Sequence, residues 1–377
     1  MANNNENKIL NVPHLRFPEF SGEWKKCTLG EIGKGFDYGM NAAAKPFDGQ
    51  HKYIRITDID ESSAAYIDKD VVSPDGELQD SYLVKANDIL LARTGASTGK
   101  SYLYDNKDGI LYFAGFLIRV NIPSDNAYFV FSQLHLSRYR KWIGIMSARS
   151  GQPGVNSQEY SNYPIYLPKI EEQTKIAKLL KLVDERIATQ NKIIEKYESL
   201  IKGIAQNIAR SNRPNIRLSE CLECSSSSLQ ESDVCENGVY PVYGANGVVG
   251  YLNNYNTLSE AVYIIKDGSR VGAVSYVTGK CSATGTLNIL QVKDGYSLRY
   301  LYYLLKVFNF EPYKTGMAIP HIYFKDYCKA KIFCPSYPEQ LRYAELLSAV
   351  NGKLLAEQNI LVNFSLQKQY LLRQMFI

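Results

Sequence analysis

The sequence predicts an α+β protein, in which two globular α/β modules are separated by two long antiparallel coiled-coil helices. Two observations predict this class. A helical pattern of apolar residues occurs twice, 167 positions apart, and each copy follows a region of short β-like runs and Gly-rich turns. The order is therefore globular, helix, globular, helix. The second half is a divergent repeat of the first, which predicts a pseudo-twofold relation between them.

The two helical patterns share the 3.5-residue period of a coiled-coil seam, because their apolar positions are alternately four and three residues apart. Each pattern also follows a proline by the same interval, Pro168 in the first half and Pro335 in the second. The first seam consists of Ile176, Leu180, Val183, Ile187, Gln190, Ile194, Tyr197, Ile201, Ile204 and Ile208. The second consists of Tyr343, Leu347, Val350, Leu354, Glu357, Leu361, Phe364, Lys368, Leu371 and Met375.

Length and composition are typical of a globular protein with a sizeable core. The chain has 377 residues, 45% hydrophobic residues and a net charge of +5. No apolar run approaches the roughly 18 residues that a membrane span requires. The Asn-rich start lacks the pattern of a secretory signal, so we expect a short flexible tail on a cytoplasmic protein that has no membrane partner.

These patterns divide the chain into five segments. We assign residues 1–20 to a tail, 21–170 to a first module, 171–210 to a first helix, 211–337 to a second module and 338–377 to a second helix. In the first module we predict one helical stretch, from about Tyr128 to Met146. The β-like runs in the same module are His51 to Ile59, Asp88 to Arg93, Ser101 to Tyr104 and Ile110 to Asn121.

Glycine loops repeat as well. The run from Arg93 to Gly99 corresponds to the run from Lys266 to Gly272, and each follows an apolar strand and precedes an aromatic one. The run from Ser150 to Pro153 corresponds to the run from Thr315 to Ala318. Two modules that share the arrangement of their loops but differ in the loop residues are typical of related recognition domains with different targets.

Gly95 to Ser101 resembles a phosphate-binding P-loop, but only three residues separate its two glycines and a strand follows where a helix is needed. Gly244 to Gly250 misses the spacing of a dinucleotide-binding motif. The four histidines are scattered, so they form neither a catalytic triad nor a metal site. Cys221 and Cys224 lack a second close ligand pair. The sequence therefore predicts a non-catalytic chain with no metal or cofactor of its own.

The segment between Asp125 and Glu159 has no acidic residue. It contains four basic residues, and aromatic residues and a histidine are interleaved with them. This pattern favours a positive surface for phosphate contact, although a solvated helix face that lacks carboxylates explains it equally well. The basic residues are Arg138, Arg140, Lys141 and Arg149, and the interleaved residues are His135, Tyr139 and Trp142.

The two seams contain a polar residue at each midpoint, Gln190 in the first and Glu357 in the second. Antiparallel pairing brings the midpoints together at the centre of the pseudo-twofold contact. We hypothesise a hydrogen bond between them that sets the register, as against two independent polar interruptions of the seam. Side chains more than one helical turn apart would contradict the hypothesis.

The chain closely resembles the DNA specificity (S) subunit of type I restriction-modification systems over nearly its whole length. The motifs are weak singly, but their order and duplication are specific. They are Val12 to Phe20 with Trp24, Thr28 to Glu31, Ser150 to Pro153, Leu167 to Ala177 with its Glu-Glu-Gln, and Tyr240 to Gly247. Two departures are Lys368, a charged residue on the seam, and His321, which lies near the counterpart of Asn156 without a clear alignment.

The resemblance implies that each module is a target-recognition domain for one half of a bipartite site in double-stranded DNA. It implies that the helices set the distance between the domains and help to dock two methylation subunits, while restriction subunits, the ATP-dependent translocase and nuclease, join the assembly. Methyl donor, ATP and magnesium then belong to those partners. A helix of about 39 residues is about 58 Å long, which exceeds one turn of DNA.

We expect DNA contacts from the glycine loops and from the ends of the basic segment. The residues are Arg93, Thr94, Ser97, Lys100, Arg149 and Gln152 in the first half, and Lys266, Ser269, Arg270 and Lys314 in the second. Two alternatives are an ATP-hydrolysing enzyme that uses the Lys100 loop and a coiled-coil scaffold that does not bind DNA.

Overall fold

The structure is a computed structural model that describes residues 11–148, 153–317 and 319–377. Arg149, Ser150, Gly151, Gln152 and Ala318 lie outside the described residues. The chain divides into two compact units. Unit 1 comprises residues 1–188 and 362–377, and unit 2 comprises residues 189–361. No helix in the described ranges is long and apolar enough to cross a membrane.

Unit 1 contains short strands and helices that lead into one long helix. Its strands are β1 (Lys25–Thr28), β2 (Lys34–Tyr38), β3 (Ala43–Pro46), β4 (Lys52–Ile54), β5 (Val72–Asp75), β6 (Asp88–Ala92), β7 (Ser101–Leu103), β8 (Leu111–Phe113), β9 (Leu117–Asn121) and β10 (Pro164–Leu167). Its helices are α1 (Leu29–Ile32), α2 (Ala127–Gln133), α3 (Ser137–Ser147), α4 (Ser157–Ser161) and α5 (Ile170–Arg210), which continues into unit 2.

Unit 2 repeats this plan. Its strands are β11 (Ile216–Arg217), β12 (Leu222–Ser226), β13 (Tyr240–Gly244), β14 (Gly247–Leu252), β15 (Glu260–Ile265), β16 (Val274–Thr278), β17 (Ser282–Ala283), β18 (Leu287–Val292) and β19 (Lys331–Ile332). Its helices are α6 (Leu218–Cys221), α7 (Leu298–Val307), α8 (Phe324–Tyr327) and α9 (Tyr337–Gln374), which continues into unit 1.

Each unit is organised around a four-stranded antiparallel sheet. The strand order is β2-β9-β6-β7 in unit 1 and β12-β18-β15-β16 in unit 2. Inner strands β6 and β15 are apolar and buried, which explains why their sequences read as continuous hydrophobic runs. The predicted class, mixed helix and sheet with two long helices and a repeated module, is confirmed.

Three predicted elements of unit 1 are shorter than the sequence suggests. The run from His51 forms a strand only as far as Ile54, and a 3-10 helix (Ile56–Asp58) follows because the Asp58 carboxylate accepts from the Arg55 backbone N–H. The run from Ile110 splits into β8 and β9 at a tight turn. The predicted helix from Tyr128 divides into α2 and α3, because the chain turns at residues 134–136 and buries Leu134 and Leu136 on the way.

Residues 11–20, which the sequence assigns to a tail, pack on unit 1. The Arg16 guanidinium makes two hydrogen bonds to the Glu172 carboxylate, at 2.8 and 2.7 Å. The Leu15 backbone N–H donates to the Gln374 carbonyl at 2.8 Å. Phe17 of this segment packs against the cluster that contains Trp24, Phe129 and Phe376, so the segment contributes to the core around the start of α5 and the end of α9.

A buried glutamine near the start of each long helix ties that helix to its module. The Gln173 side-chain oxygen accepts from the Asn126 N–H, which begins α2, at 3.0 Å. Gln340 accepts in the same way from the Ser297 N–H, which begins α7, at 2.9 Å. Each amide nitrogen also donates to the carbonyl of the preceding proline, Pro168 or Pro335. The two halves therefore repeat side-chain contacts as well as topology.

In unit 1 the facing segments of α5 and α9 run antiparallel, since Asp184 pairs with Lys368 and Arg186 lies over the Phe364 ring. Lys368, the basic residue on the second seam, has its Nζ 2.7 Å from the Asp184 carboxylate. That carboxylate also accepts from the Tyr128 hydroxyl. The seam therefore tolerates Lys368 because its charge is paired.

In unit 2 the polar midpoint residues meet. The Gln190 side-chain amide donates to the Glu357 carbonyl at 3.0 Å and also to its carboxylate. Gln190 is buried among apolar side chains that offer no hydrogen-bond partner, so Glu357 satisfies the Gln190 amide. On either side, Ile194 and Leu354 pack in the core of unit 2.

Candidate nucleic-acid interface

A tight loop joins β6 to β7 in unit 1 and contains most of the predicted contact residues of that half. The Gly99 N–H donates to the Ala92 carbonyl and the Ala92 N–H donates to the Lys100 carbonyl, at 2.9 and 2.8 Å. A 3-10 helix (Gly95–Ser97) forms the tip. Gly99 has φ +90°, and a Cβ there would lie 2.9 Å from Ile143, so only glycine suits the base of this loop.

Two neighbouring segments hold the loop in place. The Gly95 N–H donates to the Pro153 carbonyl at 3.0 Å, and the Val155 N–H donates to the Arg93 carbonyl at 2.9 Å. On the other side, the Arg93 N–H donates to the Phe116 carbonyl at 3.0 Å. Because its backbone is bonded in both directions, the loop presents its side chains from a fixed frame.

The loop between β15 and β16 in unit 2 has the same set of bonds. The Gly272 N–H donates to the Ile265 carbonyl at 2.8 Å and the Gly268 N–H donates to the Pro320 carbonyl at 2.9 Å. The Ile322 N–H donates to the Lys266 carbonyl at 2.9 Å, and the Lys266 N–H donates to the Thr286 carbonyl at 3.0 Å. Arg93 and Lys266 are therefore structural equivalents, as the sequence correspondence of the two loops predicts.

These backbone hydrogen bonds correct the predicted correspondence between the run from Ser150 and the run from Thr315. Pro153 and Pro320 accept from equivalent glycines, so they are the matching residues, and the predicted match of Pro153 with Ala318 is wrong by two positions. Likewise, His321 occupies the place of Gly154, since Thr94 bridges Gly154 and Asp267 bridges His321. His321 therefore has no counterpart at Asn156.

Arg93, Thr94, Ser97 and Lys100 lie together on the loop of unit 1. The Arg93 guanidinium lies 4.8 Å from the centre of the Tyr38 ring and donates to the Gly115 carbonyl at 3.3 Å. The Lys100 Nζ lies 3.7 Å from the Glu61 carboxylate. Lys100 is therefore partly neutralised, whereas Arg93 keeps most of its donors and is oriented by an aromatic ring.

In unit 2, Lys266, Ser269 and Arg270 lie together on the equivalent loop. Ser269 and Arg270 are exposed, and the Arg270 guanidinium donates to the Ala245 carbonyl at 3.4 Å, beside the turn between β13 and β14. Lys314 follows a 3-10 helix (Glu311–Tyr313), and its Nζ lies 2.5 Å from the Glu311 carboxylate. The predicted contacts Arg149 and Gln152 lie outside the described residues.

The basic, aromatic segment does not form the surface that its composition favours. Tyr139 is only 2% exposed, and it packs against Tyr163 and Trp142 in the core. Arg138 lies over the Tyr166 ring at 4.6 Å. The aromatic residues are spaced to face inward, so the hypothesis of an aromatic-bearing positive surface is wrong. Arg140 and Lys141 are exposed, which matches the alternative of a solvated helix face.

His135, from the same segment, is expected to make the free energy of unfolding depend on pH. Burial and the nearby charge of Lys368 lower the pKa of His135 to about 4, and the Nε2 atom has no hydrogen-bond partner among the described residues. Between pH 6.5 and 4, His135 binds a proton in the unfolded chain but stays neutral in the folded chain. Stability is therefore complete above pH 6.5, and we expect it to fall by up to about 1.4 kcal/mol per pH unit through this window.

Urea unfolding between pH 7.5 and 4.5 measures this effect. The variant His135→Leu is expected to lose that part of the pH dependence, whereas replacement of the exposed His14 by leucine leaves the fall in place. An equal slope in wild type and His135→Leu would show that His135 is not its source.

Sequence reasoning missed two exposed aromatic residues beside Arg93. Tyr38, at the end of β2, is 43% exposed, and Phe116, in the turn before β9, is 58% exposed. They lie 55 and 23 positions from Arg93 in the sequence, and no local pattern links the three. Only the strand pairing of the sheet brings them together.

The cysteines do not form a metal site in the described part of the chain, where no group of three or more potential metal-ligating side chains is found. Cys221 is buried, and burial raises the pKa of its thiol to about 12. The Lys100 loop leads into strand β7, so it lacks the helix N-terminus that holds phosphate in a P-loop.

Fold and site together define a class of protein: a two-module chain whose equivalent loops present different cationic side chains on one repeated frame. The model of the type I restriction modification DNA specificity domain matches residues 21–199 and 215–363. The chain therefore belongs to the family of type I restriction-modification DNA specificity subunits.

Two relatives with similar sequences agree with this assignment. The chain is 25% identical to the type I restriction enzyme MjaVIII specificity subunit of Methanocaldococcus jannaschii, over 92% of this chain and 90% of that protein. It is 27% identical to the EcoprrI specificity subunit of Escherichia coli, over 30% of this chain and 28% of that protein.

Solved structures support the fold. The S subunit of a type I restriction-modification system from M. genitalium has a TM-score of 0.64 at 18% identity, with 97% of this chain and 99% of that chain covered. A chain from a structural study of complex assembly and conformational transition of the type I R-M system has a TM-score of 0.54 at 16% identity, with the same coverage.

Proposed function

We propose that this chain reads a bipartite site in double-stranded DNA, with one unit for each half-site, and directs the other subunits of a type I restriction-modification complex to it. The observation that carries the proposal is the repeated loop frame. Equivalent backbone bonds hold Arg93 in unit 1 and Lys266 in unit 2, but the side chains around them differ. One frame with two sets of side chains suits the reading of two different half-sites.

The chemistry of the loops supports DNA as the ligand. Arg93, Ser97, Ser269 and Arg270 offer guanidinium and hydroxyl donors, which suit phosphate oxygens and base edges. We propose Thr94, Lys100, Arg149, Gln152 and Lys314 as further contacts. As recognition modules we propose residues 21–170 and 211–337, with spacer helices over residues 171–210 and 338–377.

Recruitment of partners is the second part of the proposal. Val362, Leu366 and Tyr370 of α9 are exposed and four residues apart, so they share one face of the helix. An apolar helix face next to a paired seam suits docking of another protein chain. We propose that two methylation subunits dock on the long helices and that restriction subunits join the complex.

We propose that catalysis belongs to those partners and that the chain itself has no cofactor. The alternative of an ATP-hydrolysing enzyme has less support, because Lys100 is paired with Glu61 and no helix begins at its loop. A coiled-coil scaffold without DNA binding does not explain why the β6–β7 loop and the β15–β16 loop have the same backbone hydrogen bonds and both present cationic side chains.

DNA binding by the chain, in complex with its methylation subunits, tests the proposal directly. We expect methylation at one bipartite motif when the complex is expressed in cells, and binding to a duplex carrying that motif that weakens steeply as salt rises. A duplex in which one half-site is scrambled serves as the control and is expected to bind much more weakly. Methylation without a shared motif, or binding that ignores salt, would contradict the proposal.

A further inference from the structure

Three positions of the repeated frame differ in chemistry between the two units. The first pair is Arg93 and Lys266, and the second is Phe116 and Thr286, whose carbonyls accept from the N–H groups of Arg93 and Lys266. The third is Tyr38 and Ser226. Tyr38 pairs with Ile118, the second residue of β9, and Ser226 pairs with Asn288, the second residue of β18. Strands β9 and β18 follow Phe116 and Thr286, so Tyr38 and Ser226 are equivalent. We call these the three frame positions.

In unit 1 the frame positions form one aromatic and cationic group. The Tyr38 hydroxyl lies 3.3 Å from both the Ser157 hydroxyl and the Ser157 backbone nitrogen, which holds the ring in place. The Arg93 guanidinium lies over that ring, and among the described residues it makes one side-chain hydrogen bond, to the Gly115 carbonyl, although it has five N–H donors. The guanidinium is thus oriented but largely unsatisfied.

Phe116 completes the group. It lies in a turn that three backbone hydrogen bonds fix. The Gly115 N–H donates to the Met40 carbonyl, the Leu117 N–H donates to the Ala114 carbonyl, and the Arg93 N–H donates to the Phe116 carbonyl. A single exposed hydrophobic residue needs no explanation by itself. Here, however, the exposed ring is on a rigid turn whose backbone is bonded to that of Arg93, and this combination suits a ligand that has both acceptor atoms and apolar groups, as base edges have in the major groove.

In unit 2 the same positions carry small polar groups and an ammonium. Ser226 is exposed and Lys266 is half-buried. The Thr286 hydroxyl is 2.8 Å from the Thr284 hydroxyl, so it is already hydrogen-bonded. This set offers a point charge and hydroxyls, and it lacks both a stacking surface and a forked donor.

We infer that the three frame positions determine which half-site each unit reads. This rests on the proposed function and deepens it. Arg93 of unit 1 donates two hydrogen bonds to a base that presents two acceptors in the major groove, which is guanine, and the Phe116 ring contacts the neighbouring base. Unit 2 reads the equivalent place through other contacts, because Lys266 and Ser226 provide an ammonium and a hydroxyl with neither a planar fork nor an aromatic ring.

Selection from a duplex library with randomised half-sites tests the inference, with the full chain in complex with its methylation subunits. Wild type is expected to enrich guanine at one position of the half-site that unit 1 reads. The variant Phe116→Thr is expected to weaken binding by about 5- to 150-fold, the range for losing the match at one base pair, because it removes an apolar contact to a base edge in the groove. The triple variant Tyr38→Ser, Arg93→Lys, Phe116→Thr is expected to lose the guanine preference at that half-site alone.

Two controls keep the outcomes separate. Phe47→Thr removes another exposed aromatic side chain of unit 1 and is expected to leave the preference unchanged. Thermal unfolding of each variant shows whether unit 1 remains folded. If wild type selects a bipartite site and the triple variant selects the same bases, the inference is overturned while the proposed function stands. Loss of preference at both half-sites also overturns it. If wild type selects no site, the proposed function itself fails.

Discussion

Replacement of Gln173 by alanine is expected to lower the free energy of unfolding by about 2–4 kcal/mol, the largest stability effect that we predict. Gln173 is 1% exposed. Its amide accepts from the Asn126 N–H and donates to the Asp125 carboxylate and to the Pro168 carbonyl. Alanine removes the partner of the part-buried Asn126 N–H and of the buried Pro168 carbonyl, and it leaves a cavity as well.

Denaturant unfolding of the full chain measures the effect, and Lys178→Ala, at an exposed position of the same helix, is the matched control. Gln340, 2% exposed, makes the equivalent bonds in unit 2, so Gln340→Ala is expected to destabilise that unit in the same way. If Gln173→Ala unfolds at the same denaturant concentration as Lys178→Ala, the amide does not hold helix and module together.

The long helices were predictable because their information is local and periodic. Seam residues recur at steps of four and three, and burial follows that pattern from Ile176 to Ile208 and from Tyr343 to Met375. The basic residue Lys368 could not be understood from the pattern. Its partner Asp184 lies on the other helix, and nothing in the sequence around Lys368 points to it.

The basic segment shows the opposite case. Charge and aromatic content suggested a surface, but Tyr139 and Trp142 are three residues apart on a helix and therefore share one face. That face packs in the core, so the periodicity of the segment was more informative than its composition. The break at Leu134 could not be predicted, because neither glycine nor proline marks it.

At the candidate site the sequence identified the loop and missed its surroundings. Arg93 follows a strand and begins a glycine loop, which is a local pattern. Tyr38 and Phe116 join it only through the pairing of β2, β9 and β6, a tertiary property. The two-residue error in matching Pro153 has the same origin, since glycine–carbonyl bonds define the correspondence and the sequence around each proline does not.

Arg93→Ala is expected to have the largest effect on DNA recognition, a loss of about 5- to 150-fold in affinity for duplexes that carry the half-site of unit 1. The guanidinium combines charge with a planar fork of donors, and Tyr38 already orients it, so little conformational entropy is lost when it binds. Alanine removes the charge and the fork together. Binding titrations on duplexes with one intact and one scrambled half-site separate the contributions of the two units.

Lys266→Ala provides the matched comparison, because Lys266 occupies the equivalent place in unit 2. It is expected to weaken binding through the other half-site and to lower the slope of log affinity against log salt by about 1. Each substitution should thus act on its own half-site, since each unit has its own sheet and core. Equal losses at both half-sites from Arg93→Ala would contradict one reader per half-site, because a single shared contact surface would then be the simpler account.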